Sequence, residues 1–223
     1  MKRLFQRFMH VYGPQGWWPV MEQGMIRYHP GDYSYPKTAE QAFEVCAGAI
    51  LTQNTSWKNV EKALATLRGI DAAALATMKR SVLARHIRPS GYFNQKAERL
   101  QLFAQTVHQA GGIGAFLEKT HREQLLSLKG IGPETADSIL LYAKKEPVFV
   151  VDAYTKRIFS RYGFVAQDAT YDEIQDLVHR TLKPVVKAYN EFHALLVEHA
   201  KQYCTPKPAC GTCFLRKLCN QTF

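Results

Sequence analysis

Four cysteines crowd the end of the chain, Cys204, Cys210, Cys213 and Cys219, spaced C-x5-C-x2-C-x5-C. A C-x2-C pair can chelate a metal centre, and two further thiols at equal distances close a four-thiolate site. By pattern alone such a set suits an iron–sulfur cluster or a zinc ion, although a zinc ribbon more often offers two C-x2-C knuckles. The second chemical group is a carboxylate. Asp152 ends the apolar run Val148-Phe149-Val150-Val151 and opens the helical pattern AYTKRIF, so it is at least an N-cap. The third is a turn, Leu128-Lys129-Gly130-Ile131-Gly132, followed by Pro133. Two glycines around one apolar residue make a tight turn, and proline presets the first turn of the helix behind it. Backbone N–H groups exposed at that helix start form an anion site, and for a basic chain the natural anion is a nucleic-acid phosphate. Trp17-Trp18-Pro19 is a dense set of flat side chains that serves either a core or a pocket.

The elements that must position these groups are helical. Leu125, Leu126 and Leu128 before the turn, and Ala136, Ile139, Leu140 and Ala143 after it, recur at helical spacing, so the unit reads helix-hairpin-helix. A helix from Pro133 to Ala143 carries the chain about 16 Å away at 1.5 Å per residue. The eight residues from Lys144 to Val151, if extended, cover up to about 26 Å on return, so Asp152 can reach the hairpin. Elsewhere, residues 1–37 combine one amphipathic helix with a loop rich in glycine, proline and aromatic residues. From Thr38, with Gln41 as a capping box, helices are expected over 39–52, 56–68, 71–78, 81–87 and 95–110. Thr120 with Glu123 reads as a second box, and Thr170 with Glu173 as a third. After Asp152 the pattern predicts helices over 153–162, 171–182 and 185–201. Strand patterning is almost absent, and the fold class is all-α.

The chain of 223 residues carries 29 Lys and Arg against 19 Asp and Glu, a formal charge of +10. That balance favours an acidic partner such as DNA, RNA or an anionic membrane surface. No apolar run has the length of a membrane span, and the N-terminus lacks a signal-peptide core, which points to an intracellular chain. In a reducing compartment four clustered thiols argue for a metal centre over disulfides. The fifth cysteine, Cys46 in FEVCAGAIL, reads as core packing.

The stretch LLSLKGIGPETADSILLYAKKEPVFVVD resembles the helix-hairpin-helix and Gly/Pro…Asp signature of base-excision DNA glycosylases, the endonuclease III (HhH-GPD) superfamily. WWP, LTQNT, RPSGYFNQKAERL and GIGPETADSILLYA together are similar to one subgroup, the third bacterial class of 3-methyladenine DNA glycosylases, over most of the chain. The resemblance implies a two-domain fold: a six-helix domain over 38–147 and a discontinuous helical domain from 1–37 and 148–223, with the hairpin and Asp152 lining the cleft. It makes Asp152 catalytic and Leu128, Lys129, Gly130, Ile131 and Gly132 the DNA grip, with a monovalent cation at the hairpin. Within LTQNT, Asn54 takes the place of the amide that fills the hole left by a flipped nucleotide, with Gln53 beside it. Amide donors and acceptors suit that role, and a plain helix C-cap is the other reading of Asn54. Tyr92 takes the place of the wedge inserted into the opposite strand, or packs on the domain surface. An aromatic pair from Trp17 or Trp18 with Phe43 is implied to sandwich the damaged base, with Glu134 in the same pocket.

The resemblance also implies a 4Fe-4S cluster on Cys204, Cys210, Cys213 and Cys219. The superfamily spacing is C-x6-C-x2-C-x5-C, one residue longer than here, and members of the 3-methyladenine subgroup can lack these cysteines. Two departures bear on the chemistry. Bifunctional members carry a lysine two residues past the second hairpin glycine, where this chain has Glu134, and a carboxylate cannot form an imine. The adenine-mismatch branch carries a catalytic glutamate where this chain has Ala49. The expectation is a monofunctional DNA glycosylase, monomeric and cytoplasmic at the nucleoid, acting on damaged bases in double-stranded DNA, foremost alkylated purines. The alternatives are a glycosylase for oxidised pyrimidines or mispaired thymine and uracil, and a non-catalytic DNA-binding scaffold.

Overall fold

The computed structural model describes residues 1–220; positions 221–223 of the expected second domain lie outside the described residues. Its elements are helical apart from one pair of three-residue strands, as the patterning predicts. The chain divides into two compact units, one of residues 18–146 and one of residues 1–17 with 147–220.

The central unit, 18–146, opens with β1 (Val20–Glu22) and β2 (Met25–Arg27), antiparallel with Met21 opposite Ile26. Sequence reading gave residues 18–37 to the other domain, and the structure corrects that boundary. The reason is burial: Trp18 and Val20 are core residues here, and the Met21 N–H donates to the Glu44 carboxylate at 2.7 Å. Glycine at position 48 makes room for Trp18, since a Cβ there would lie 3.2 Å from the indole.

The helices follow as α2 (Ala39–Leu51), α3 (Trp57–Thr66), α4 (Ala72–Thr77), α5 (Arg80–His86), a 3₁₀ turn (Arg88–Ser90), α6 (Phe93–Gln109), α7 (Ile113–Lys119), α8 (Arg122–Ser127) and α9 (Pro133–Ser138). The last continues as a π-helical segment, Ile139–Lys144. α2 is the core helix. Val45, Cys46, Ile50 and Leu51 on it are fully buried, each large side chain contributing about 1.5–3 kcal/mol. Thr38 caps it by accepting from the Gln41 N–H, but the Gln41 side chain accepts from Lys37, so the reciprocal box is displaced by one residue. The box expected at Thr120 and Glu123 is likewise found one residue on, at His121 and Gln124.

The terminal unit holds α1 (Lys2–Tyr12), α10 (Ala153–Tyr162), α11 (Tyr171–Thr181) and α12 (Val186–Gln202). α12 is its core helix, burying Tyr189, Phe192, Leu195 and Leu196. The Phe192 ring meets Phe149 at 5.7 Å and Phe159 at 6.0 Å. Residues 149–151 are buried but form no strand. Side chains of α11 meet their backbone in place of a neighbouring strand: the Phe149 N–H donates to His179 Nε2 at 3.0 Å, Gln175 Nε2 donates to the Phe149 carbonyl at 2.7 Å, and the Val151 N–H donates to Tyr171 Oη at 3.4 Å.

Candidate functional site

In the central unit the hairpin is built as its residue types require. The Ile131 N–H donates to the Leu128 carbonyl at 3.0 Å and closes the turn, while the Ile131 side chain is buried and Leu128 half-buried. Gly130 stands at φ +81°, and a Cβ on it would overlap the Arg99 side chain, so glycine is required twice over. Gly132 is the exposed N-cap of α9, with open space around it. Lys129 is exposed and paired with Glu98 of α6 at 2.9 Å. Glu134 lies in the exposed first turn of α9.

The segment after α2 splits its two amides between different tasks. Asn54 is exposed at φ +52°, a left-handed position that asparagine tolerates, and it points its part of the loop to solvent. Gln53 is turned the other way. Its Nε2 donates to the Gly130 carbonyl and to Thr135 Oγ1, both at 2.9 Å, and its Oε1 accepts from Arg99. Gln53 is therefore bonded to the hairpin. Tyr92, at φ +46° and 65 % exposed, is the N-cap of α6 and one of the most exposed large side chains of the chain. Trp18 and Phe43 are under a tenth exposed; Trp18 meets Trp57 edge-on at 5.2 Å and Tyr142 at 5.1 Å, and Phe43 stacks with Phe103 at 6.1 Å.

Asp152 and the cysteines belong to the terminal unit. Asp152 caps α10, its Oδ1 accepting from the Thr155 N–H at 2.7 Å, and His193 Nε2 of α12 stands 3.5 Å from Oδ2. Burial pushes the Asp152 carboxyl up, but the histidine and the Thr155 N–H outweigh it and hold the group below the ordinary carboxylate range. Trp17 is half-buried; its carbonyl accepts from Asn190, and the Lys201 ammonium lies 5.9 Å over its ring.

The four thiols Cys204, Cys210, Cys213 and Cys219 line one cavity with His199 and Leu215. Donors already point at the sulfurs: Arg161 Nη1 lies 3.4 Å from Cys204 Sγ and the Leu215 N–H 3.4 Å from Cys213 Sγ. Burial raises the Cys213 thiol above its ordinary value, and the three other thiols add to the rise. A cage of thiols with N–H donors turned on the sulfur fits an iron–sulfur group, whose clusters take such hydrogen bonds. Among the described residues no three His, Cys, Asp or Glu side chains converge closely enough to hold a single ion.

His193, Lys96 and Arg99 went unread in the sequence. All three are polar residues on the packed face of a helix: His193 follows Tyr189 and precedes Leu196, and Lys96 precedes Ala97 and Leu100. A polar residue at a core position was the available signal, since such groups need partners.

This framework coincides with a known one. The family model for HhH-GPD superfamily base excision DNA repair proteins matches residues 47–184, spanning the end of α2, the hairpin and Asp152. The chain belongs to that superfamily, whose class is the base-excision repair DNA glycosylases. It is 38 % identical over 226 residues to a Methanocaldococcus jannaschii chain assigned provisionally as a DNA repair glycosylase, covering 97 % of this chain and 94 % of the other. It is 31 % identical over 182 residues to endonuclease III of Thermotoga maritima, covering 80 % and 82 %. Among solved structures it is similar to the H. pylori 3-methyladenine DNA glycosylase bound to 1,N6-ethenoadenine, with TM-score 0.66 and 32 % identity over 77 % of this chain and 92 % of that one. No helix among the described residues is long and apolar enough to cross a membrane.

Proposed function

We propose that the protein is a monofunctional DNA glycosylase that releases alkylated purines, 3-methyladenine foremost, from double-stranded DNA. The observation that carries the reading is the anionic Asp152, buried in the terminal unit, capped by the Thr155 N–H and faced by His193. A carboxylate held below its ordinary range is a persistent anion and a weak base. It suits electrostatic support of the positive charge that grows on the sugar as the C1′–N bond breaks. Water then bonds to C1′, the bond's electron pair leaves with the base, and the water's proton passes to solvent or transiently to Asp152.

N-alkylation makes the purine a cation and already a good leaving group, so a site with one carboxylate and no dedicated general acid can serve. The likeness to the H. pylori enzyme, at 32 % identity, supports this substrate class. Of the Trp17–Trp18 pair, Trp17, half-buried under the Lys201 ammonium, is the one with surface to offer a base, and Trp18 is the packing partner of Gly48. Glu134 in the first turn of α9 supports hydrolysis without lyase chemistry, because no amine is present at that position.

The backbone N–H groups at Gly130, Ile131 and Gly132 take the phosphate, with any cation that helps bound at the same turn. Asn54 and Tyr92 hold the opened duplex. Cys204, Cys210, Cys213 and Cys219 would hold a 4Fe-4S cluster, which supplies a fixed centre that ties the 204–219 loop together and does no redox work on substrate.

The test is release of free base from methylated DNA, from a thymine-glycol duplex and from a G·T mismatch, with borohydride present in parallel. Methylpurine release without a trapped covalent adduct is expected. Release of thymine glycol or mispaired thymine alone would overturn the substrate class, and an efficient adduct would overturn the monofunctional assignment.

A further inference from the structure

Three segments of the central unit, 51–55, 90–92 and 128–132, are fixed by neighbouring side chains of one helix, α6. Lys96 is 1 % exposed, and its Nζ donates to the Leu51 carbonyl at 2.8 Å and the Ser90 carbonyl at 2.7 Å. One ammonium thus joins the end of α2, just before Asn54, to the 3₁₀ turn just before Tyr92. Arg99 lies three residues on, on the same side of the helix. It donates to Gln53 Oε1 at 2.5 Å, and Gln53 passes the link to the Gly130 carbonyl. Arg99 also packs where a Cβ on residue 130 would stand. Glu98, between them, holds Lys129.

A buried ammonium is costly unless its protons are taken by acceptors, and here the acceptors are carbonyls at the ends of two different elements, α2 and the 3₁₀ turn. Desolvation in turn pulls the Lys96 amine down to about 8, and the nearby Arg99 charge adds to that. The loops themselves are short and irregular, with Asn54 and Tyr92 in left-handed conformations, one that asparagine tolerates and tyrosine seldom adopts.

We propose that Lys96 and the Arg99–Gln53 pair are positioning residues that set Asn54, Tyr92 and the hairpin turn in one fixed geometry before DNA arrives. The inference rests on the glycosylase reading for what the loops grip, while the struts themselves are a property of the protein alone. Lys96 carries the cleanest information, because a side chain 1 % exposed cannot touch DNA.

The experiment uses the full chain with Lys96→Met and Gln53→Leu, and two readouts. The first is amide exchange over 51–55, 90–92 and 128–132 without DNA. The second is affinity for a duplex carrying a tetrahydrofuran abasic analogue, with 2-aminopurine opposite it reporting unstacking. Exchange in the loops is expected to quicken about tenfold in both variants, with a comparable loss of affinity and of 2-aminopurine signal, the scale of one lost hydrogen bond that leaves a buried carbonyl unmet. Should Lys96→Met melt below the assay temperature, Gln53→Leu carries the exchange readout, which does not depend on whether its side chain also meets DNA. Unchanged exchange overturns the proposal, and so does quickened exchange with wild-type affinity and 2-aminopurine signal. If the wild-type protein ignores the abasic duplex while exchange responds as expected, the DNA reading fails and the struts stand.

Discussion

In the central unit the segments proposed to meet DNA are held from a regular helix, α6: Lys96 bonds to Leu51 and Ser90, and Arg99 to Gln53, which in turn bonds to Gly130. In the terminal unit the cysteine loop after α12 has neither helix nor strand through residue 220. It hangs from two arginines of α10: Arg157 donates to the Cys204 carbonyl and Arg161 to the Thr205 carbonyl, each at 2.7 Å. The first arrangement is complete in the polypeptide. The second is folded by local turns, such as the Ala209 N–H to the Tyr203 carbonyl at 2.9 Å and the Cys219 N–H to the Leu215 carbonyl at 3.0 Å, and it turns four thiols on a cavity that a bound centre would cross-link. A strut network and a cross-linked loop therefore fail differently, and substitutions separate them.

The largest effect belongs to the terminal unit's carboxylate. Asp152→Asn is expected to lower single-turnover excision by at least about 10²–10³-fold while binding to damaged duplex stays within a few fold, because the charge acts only as the sugar becomes cationic. The amide can still accept from the Thr155 N–H, so the cap survives. Near wild-type excision would reduce Asp152 to a helix cap.

Next in size is the thiol centre. Purified protein is expected to be brown with about four iron and four sulfide per chain. Cys210→Ser is expected to bleach it and to cost the terminal unit about 3 kcal/mol or more. Amide exchange sharpens the contrast: protection over 203–220 falls while protection over 128–132 holds. Equal loss in both regions would break it, and colourless protein with one bound zinc would refute the cluster.

Sequence reached the frame of both regions to different depths. Helix starts were readable where a side chain does the capping, at Thr38, Asp152 and Thr170, because Thr and Asp in that place announce their function. The strand pair at residues 20–27 was not, since two three-residue strands show no usable alternation. α7 was hidden behind Gly111-Gly112, which reads as a stop although Gly112 is the N-cap of the next helix. The hairpin glycines were legible as a turn, but the reason for Gly130, the Arg99 side chain against it, is a tertiary contact. For the same reason the bonds of Gln53 to the hairpin were out of reach: side-chain type gives a hydrogen-bonding capacity, and only the fold names the partner within the protein.

A smaller effect tests how the carboxylate is tuned. The Asp152 carboxyl is depressed in the folded protein, so its contribution is full above the ordinary carboxylate range, near pH 4, and is lost as pH falls through the folded value. His193→Gln removes one of the two groups that depress it. The acid limb of the kcat profile should then move upward in pH, with kcat at neutrality lower by about tenfold and KM little changed. A lower kcat with an unmoved acid limb would leave His193 as packing against Phe149, whose ring lies 6.5 Å away.

The smallest effect bears on the charge at the hairpin. Lys129 makes an ion pair with Glu98 on side chains 67 % and 30 % exposed, and exposed pairs contribute at most about 1 kcal/mol. Lys129→Gln should therefore leave the melting temperature within about 2 °C, and the struts from Lys96 and Gln53 keep the turn in place without it. Affinity for a duplex is a separate matter. If the turn takes phosphate through backbone N–H groups alone, the slope of log K against log salt will not change. If the ammonium leaves Glu98 for a phosphate, the slope falls by about 0.9, the share of one released counterion. Because Glu98 already draws that charge toward α6, we expect the unchanged slope and an affinity within about threefold of wild type. A slope lower by a full unit would show that the hairpin grips with a side chain as well as with its backbone, and the central unit would no longer be complete before DNA arrives.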